Sequence, residues 1–411
     1  MGERMSDKSG RIARCAILTL FITAILLTGC GQHAMPSGQE DQGENTAEQP
    51  GTKEDEQHAR EILKEMMADE GFRTRVWYSA GIEKEDTREI VEQKLEQCEN
   101  LVLKNEDIYS LEDLRFLPNL KGLEIDYGEM TYSQIEDFIP IADLQKLERL
   151  YIKYPAKKDM DLSFLTQMDT VTELFLVNCD LKDDSFLEEM LQLRCLSLYQ
   201  TPVDDLAVLE NLTELVELAL YGNAEAEHIE SVGKLRNMQD LGLQDCGISD
   251  IHFLSGLTEL RSVNLNDNSV ADLTPLAGLL MLERLGLAGN AVSDLEPIAG
   301  LMRLYDLALD NNQINDISAL TELSRLNQVG LSNNQIRDFS PLADKPELLY
   351  AAVYGNPCTD LEPVWQVPLL YFSGGNATEE QLRIVKNWME KQRPDVEEYR
   401  CIDYSEADLN G

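Results

Sequence analysis

The stretch Leu304-Tyr305-Asp306-Leu307-Ala308-Leu309-Asp310-Asn311-Asn312-Gln313-Ile314 decides the fold. Its frame is L-x-x-L-x-L-x-x-N-x-(I/V), and it recurs at a constant interval. Leucine falls at 260, 282, 304, 326 and 348, and asparagine at 268, 290, 312, 334 and 356, so the interval is 22 residues. A period held that strictly means a coiled solenoid, in which each coil buries its apolar side against the next. Reading backwards, the first apolar position of each coil is Met238, Leu215, Leu193, Val171, Leu147, Leu120 and Cys98, which makes twelve coils. Extra residues enter at Leu120 to Leu147, a step of 27, and at Leu147 to Val171, a step of 24. Because the strand pattern survives them, they bulge on the convex side, and Tyr132 to Leu144 reads there as a helical turn or two.

Each repeated position has a physical task. The leucines point inward, and burying each is worth about 1.5–3 kcal/mol. The asparagine turns into the same interior, where its amide satisfies backbone groups that would otherwise be buried unpaired. Cys179, Thr201 and Cys246 hold that slot in other coils, bond less well, and predict locally less regular coils. Further on comes a recurring aspartate, often with proline, as in Asp272-Leu273-Thr274-Pro275 and Asp338-Phe339-Ser340-Pro341. Aspartate accepts from free N–H groups at a helix start and proline suits a first turn, so each coil returns through a 3₁₀ or single-turn helix.

Such copies read only as leucine-rich repeats, and between Met238 and Asn356 they closely resemble the internalin type of bacterial repeat, whose copies end in a similar N-x-I-x-D-I-x-P-L phrase. From Cys98 to Leu235 the resemblance is looser. It implies a binding protein, often an adhesin, that works through its concave face, and it names no ligand. The expected fold is an α/β leucine-rich-repeat solenoid. It is a curved stack of about twelve coils, with a parallel sheet on the concave side and short 3₁₀ or helical turns on the convex side. Two caps seal it. At the N-terminal end, 57–97, Glu56 to Glu70 and Thr87 to Gln97 read as amphipathic helices. After the repeats of 98–356 comes a C-terminal cap, 357–411, in which Thr378-Glu379-Glu380-Gln381 is a capping box opening a helix to about Lys391. Val396 to Tyr404 reads as a strand.

The 411 residues carry 35 Lys and Arg against 75 Asp and Glu, a net charge of −40, which argues against nucleic acid and anionic lipid surfaces as partners. The first segment, 1–29, reads as targeting sequence: Arg4, Lys8, Arg11 and Arg14, then an apolar run from Ala16 to Leu27 that is too short to span a bilayer. Leu27-Thr28-Gly29-Cys30 resembles a bacterial lipobox, which implies acylation of Cys30 and a membrane contact through that N-terminal lipid alone. Residues 30–56 are too polar to bury a core and form a tether.

Alternation places one column of side chains between the second and third leucines: Val102, Glu124, Tyr151, Phe175, Ser197, Ala219, Gly242, Asn264, Gly286, Ala308, Gly330 and Ala352. Its early part is bulky and its late part bare, a shallow trough. The next column holds Tyr199 and Tyr221, and Tyr350 and Tyr354 lie on the last coil. Coils are ~4.8 Å apart, so Tyr151, Phe175, Tyr199 and Tyr221 form one exposed patch, the candidate partner-binding site with Tyr350 and Tyr354. Aromatic residues also favour strands for packing reasons alone, which is the competing reading. Asp250, Asp272, Asp294, Asp316 and Asp338 read as helix caps in preference to a cation column.

Cys98, Cys179 and Cys246 fall on buried positions, and Cys195 faces the concave side as the one candidate reactive thiol. A disulfide between Cys358 and Cys401 is one reading of the last pair, and two free thiols the other. The histidines converge on no cleft, so no catalytic group, metal or cofactor is expected. The leading expectation is a monomeric, lipid-anchored protein on the bacterial cell surface that captures a protein or glycan partner. The alternative is a structural or assembly component of the envelope, with an enzyme site in the C-terminal cap a weaker third.

Overall fold

A computed structural model describes residues 58–404 apart from 105–107, 128–134, 155–158, 225, 359, 365, 368 and 374–401. The targeting segment, Cys30, the tether, the capping-box helix and Cys401 lie outside the described residues. The chain divides into two compact units, with the boundary between Glu217 and Leu218.

The N-terminal unit begins with α1 (His58–Met66), α2 (Glu70–Ser79) and α3 (Arg88–Gln97). Two of these were expected, with α1 shorter than read and Thr87 capping α3 by accepting the Ile90 N–H. The second is new. Its sequence, EGFRTRVWYS, carries a glycine and a weak apolar stripe, and tertiary contacts hold it: Phe72 and Val76 are buried, and Asp69 accepts the Phe72 N–H at 2.9 Å and the Tyr109 N–H at 2.7 Å. Asp113 of the first coil accepts the Ala68 and Asp69 N–H groups in turn, tying the helices to the repeat.

Five parallel strands follow in chain order, β1 (Asn100–Lys104), β2 (Gly122–Asp126), β3 (Arg149–Lys153), β4 (Glu173–Val177) and β5 (Cys195–Tyr199). The boundary between the units falls inside β6 (Glu217–Tyr221). The C-terminal unit continues with β7 (Asp240–Gly242), β8 (Ser262–Asn264), β9 (Arg284–Gly286), β10 (Asp306–Ala308), β11 (Gln328–Gly330) and β12 (Tyr350–Ala352), again parallel and in order. The stack does not stop at Asn356. β13 (Leu369–Ser373) pairs with β12, and β14 (Ile402–Tyr404) pairs with β13, both parallel, so the expected cap extends the sheet. The fold is the leucine-rich-repeat solenoid.

The first apolar position of every coil is buried, from Cys98 to Leu348. In the C-terminal unit the asparagines form a ladder. Asn312 Nδ2 donates to Leu287 O at 2.8 Å, Leu309 O at 3.1 Å and Asp310 O at 3.2 Å, while its Oδ1 accepts the Val292 N–H at 2.9 Å. Asn268, Asn334 and Asn356 repeat the pattern. In the N-terminal unit the slot is held more loosely: Cys179 Sγ reaches Ile152 O and Val177 O only at 3.6 Å, and Thr201 Oγ1 accepts the Cys179 N–H at 3.1 Å.

Each coil returns through a 3₁₀ turn, with longer turns such as Glu112–Phe116 in the N-terminal unit and short ones such as Thr274–Leu276 in the C-terminal unit. The aspartates stand ahead of these turns and accept the N–H two residues on, as Asp272 does from Thr274 and Asp316 from Ser318, each at 2.8 Å. Asp161, Asp183 and Asp205 do the same in the N-terminal unit, so the capping role spans both. The insertion after β2 ends in a 3₁₀ turn, Ile139–Asp143, inside the stretch read as a helical turn or two.

Candidate functional site: the open face of the strands

In the N-terminal unit the outward side chains form three aligned columns. The first runs Asn100, Gly122, Arg149, Glu173, Cys195; the second Val102, Glu124, Tyr151, Phe175, Ser197; the third Lys104, Asp126, Lys153, Val177, Tyr199. Register therefore sets Tyr151 beside Phe175, and their ring centroids are 6.5 Å apart with planes tilted by 35°. Tyr199 stands one column over, beside Val177. These rings are half-buried, so the patch is less exposed than expected. The reason is the charged side chains around them: Lys104 bonds Glu124 at 2.9 Å, Lys153 lies 3.7 Å from Asp126, and Arg149 bonds Glu173. Burial, then the Asp126 and Glu124 charges, push the Tyr151 phenol well above its usual range, so it stays protonated and able to donate.

Cys195 is not the accessible thiol that alternation suggested. It points to the open side yet is fully buried, because in its column it stands next to the Arg149–Glu173 pair, whose long side chains close over a small one. Cys98, Cys179 and Cys246 are buried as read, and burial pushes the Cys179 thiol up to about 12. Cys358 is a buried free thiol donating to Asp360 O at 3.3 Å.

In the C-terminal unit the face changes chemistry. The first column is Asp240, Ser262, Arg284, Asp306, Gln328, Tyr350, and the second is Gly242, Asn264, Gly286, Ala308, Gly330, Ala352. Two residues further along each strand come Gln244, Asn266, Ala288, Asp310, Ser332 and Tyr354. Tyr221, Tyr350 and Tyr354 are half-buried on this unit. The trough expected here is filled. A Cβ on Gly286 would lie 2.9 Å from Asn266 Oδ1 and 3.0 Å from Asn264 Oδ1, so the glycine makes room for polar side chains of the coil before. Those amides bond along the stack: Asn264 Oδ1 accepts the Asn266 N–H at 3.0 Å, and Asn266 Oδ1 accepts the Ala288 N–H at 2.8 Å. Arg284 bonds Asp240 at 3.0 Å, yet burial still raises the Asp240 carboxyl.

Sequence reading also missed an aromatic corner behind β3. Tyr154 meets Phe138 and Tyr127 edge-on at 5.7 and 5.6 Å and donates its hydroxyl to Ile135 O at 3.0 Å. A cavity of about 530 Å³ lies beside it, with Glu136, Asp137, Asp159 and Asp161 in its wall. Its signal was the Phe138 and Ile139 pair inside the insertion, read there as helix. Among the described residues no helix is long and apolar enough to cross a membrane, and no group of three or more His, Cys, Asp or Glu is placed to hold a metal ion.

The class defined by this geometry is the leucine-rich-repeat solenoid with an open strand face. No family model and no curated protein matches the chain. Among solved structures it is similar to the internalin InlF of Listeria monocytogenes, at 26% identity and a TM-score of 0.66, covering 77% of this chain and 93% of that one. A leucine-rich-repeat protein of Leptospira interrogans shares the fold at 18% identity and a TM-score of 0.54, covering 74% of this chain and 90% of that one. Both neighbours are bacterial leucine-rich-repeat proteins, and the first carries the internalin likeness that the repeat phrase implied.

Proposed function

We propose that the chain is a binding protein of the bacterial cell surface, held by a lipid on Cys30, which captures a protein partner on the open face of its strands as a monomer. The observation that carries this reading is the aligned aromatic set. Within the N-terminal unit Tyr151 and Phe175 meet in register and Tyr199 stands in the next column, and the C-terminal unit by itself carries half-buried Tyr221, Tyr350 and Tyr354. Half-buried aromatic rings beside charged residues have the composition of binding hot spots, where large rigid side chains carry most of the energy. A solenoid face offers no enclosed cleft, which favours macromolecular capture over chemistry on a small substrate.

The test is capture by the isolated protein from host-cell extract and from the producing organism's own envelope. Tyr199→Ser and Tyr221→Ser should each weaken an identified partner by about 10-fold or more, roughly 1.4 kcal/mol, with unfolding transitions unchanged. Unchanged affinity in both variants would remove the aromatic set from the reading. A partner found only in the producer's envelope would make the protein an assembly component of that envelope and end the adhesin reading; a glycan captured in place of protein would change the partner class.

A further inference from the structure

The two longest steps among the twelve coils are consecutive, 27 residues from Leu120 to Leu147 and 24 from Leu147 to Val171, and residues of both line the cavity of about 530 Å³ behind β3. None of the lining residues belongs to a strand, so the space is separate from the open face. Its inner wall is apolar and largely aromatic: Ile135, Phe138, Tyr154, Met160 and Phe164, each at most 9% exposed. Their low exposure is enclosure, and the space beside them has the size of a small-molecule pocket, which typically measures about 300–1,000 Å³. The rim is acidic. Glu136, Asp137, Asp159 and Asp161 are exposed there, and Ile139 stands among them with 65% of its surface open.

The walls are held by the backbone. Met160 donates its N–H to Asp180 O at 2.7 Å and accepts the Lys182 N–H at 3.0 Å, a bridge that ties the second insertion to the next coil. Tyr154 donates its N–H to Val177 O and its hydroxyl to Ile135 O, each at 3.0 Å, which fixes the ring against the first insertion. Asp137 accepts the Ile139 N–H at 2.8 Å and opens the turn that carries Ile139 and Ala142. The repeat itself does not ask for these parts, since the 22-residue coils return through turns as short as Thr274–Leu276. Apolar walls around open space forfeit packing contacts, so walls fixed in this way gain most when something fills them.

We propose that the cavity binds a small organic cation, an ammonium ion on an apolar body, as a site additional to the strand face and independent of what that face captures. Charge selects the sign: the described lining contains four carboxylates and no lysine, arginine or histidine. Lys182 reaches the rim from outside the lining and engages Asp161, which also accepts the Ser163 N–H. Asp159 has no bonded partner among the described residues and acts on Lys182 only through its charge. The inner wall selects the body. Phe138, Tyr154 and Phe164 offer apolar surface to bury, and aromatic rings attract a cation more than a neutral molecule of the same shape. An apolar body against them leaves the ammonium at the rim among the carboxylates, partly hydrated, where a charge costs least to place.

Phenethylammonium is the probe, titrated into the full chain in detergent at about 0.15 M salt with the detergent-only signal subtracted, and read by ligand-observed nuclear magnetic resonance. We expect saturable binding with a Kd of about 1 mM or tighter, and phenylacetate weaker by about 10-fold or more. Glu136→Gln with Asp159→Asn keeps size and hydrogen-bonding capacity and should weaken the ammonium by about 5-fold or more. Glu85→Gln with Glu89→Gln removes two exposed charges that lie outside the cavity lining and should change binding by less than about 2-fold. Ala142→Phe fills the space from its wall and should abolish binding; should that chain fail to fold, Gln167→Trp closes the cavity from an exposed position with the same expected loss. No saturable binding by the parent chain, equal affinity for the ammonium and the carboxylate, equal weakening in both charge variants, or binding retained by a folded filled variant overturns the proposal.

Discussion

The two units solve one packing problem with different chemistry, and the contrast separates what the repeat requires from what it leaves free. In the C-terminal unit, over the coils from Asn268 to Asn356, an asparagine amide joins neighbouring coils through up to four short hydrogen bonds, and the 22-residue spacing is strict. In the N-terminal unit a thiol at 3.6 Å and a hydroxyl hold the slot, and the spacing stretches to admit insertions. The faces differ in the opposite sense. The N-terminal face is internally balanced, with charges in pairs around the aromatic rings. The C-terminal face keeps Asp310 unsatisfied above a well-bonded interior. A regular interior tolerates an expensive face, because the ladder supplies the stability that the face gives up.

The largest loss should come from the slot itself. Asn312→Ala leaves up to three carbonyls and the Val292 N–H short of a partner in a dry interior, and we expect a loss of about 3–5 kcal/mol. Cys179→Ala removes a weakly bonded small group and should cost about 1 kcal/mol. Urea unfolding followed by circular dichroism measures both. If the two losses are equal, slot chemistry is not what distinguishes the units.

The pH dependence of stability should show the reverse, a gain on substitution. Asp306 and Asp310 have their folded pKa raised to about 6, so the folded chain binds protons that the unfolded chain has released. Their contribution is therefore fully present below about pH 4 and is lost as pH rises through about 6. The capping aspartates run the other way: Asp161, held down to about 2 chiefly by Ser163, contributes above about pH 4 and loses that contribution on acidification. The paired Asn variant at 306 and 310 isolates the first group. Relative to the parent chain it should gain up to about 5–6 kcal/mol at pH 7, roughly half from each carboxyl, and close to nothing at pH 4. A gain that is the same at both pH values would show that the two carboxylates are not destabilising by charge.

Much of this was legible in the chain because periodicity states direction. The interval placed the leucines, asparagines and aspartates, and with them the register that sets Tyr151 beside Phe175. Periodicity does not state cover. Cys195 was placed on the correct side, and only the structure shows that it is fully buried there, beside the Arg149–Glu173 ion pair. Nor does it state what fills an empty position, as Gly286 and Gly330 show. It did not carry the stack past Asn356: β13 stands 19 residues after β12 in register and β14 another 31, so β13 was not read, and β14, inside the stretch Val396 to Tyr404 read as a strand, was not placed on the sheet. Lys345 is the sharpest case. It follows Leu279, Leu301 and Leu323 in a leucine position, and its ammonium is buried against Leu320 O, Thr321 O and Leu323 O at 2.7, 3.1 and 3.2 Å.

The smallest effect tests whether the bare column of the C-terminal face is bare for a reason. Gly330 holds the repeat position, between the second and third apolar residues of its coil, that Ser197 holds in a coil of the other unit. Ser197→Ala exchanges one small side chain for another and should change stability by less than about 0.5 kcal/mol. Gly330→Ala gains about 0.5–1 kcal/mol from reduced backbone entropy, but its Cβ meets Asp310 Oδ2 at 2.0 Å and must displace the carboxylate. We expect a net loss of about 1 kcal/mol, within the range for overpacking a tight site. The cause is distinguishable by a double-mutant cycle. With Asp310→Ala in place the obstructing oxygen is gone, so Gly330→Ala should become neutral or stabilising, a coupling of about 1–2 kcal/mol. If Gly330→Ala costs the same with and without the Asp310 carboxylate, the backbone and not the side chain above it requires glycine, and the contrast between the two faces loses its steric half.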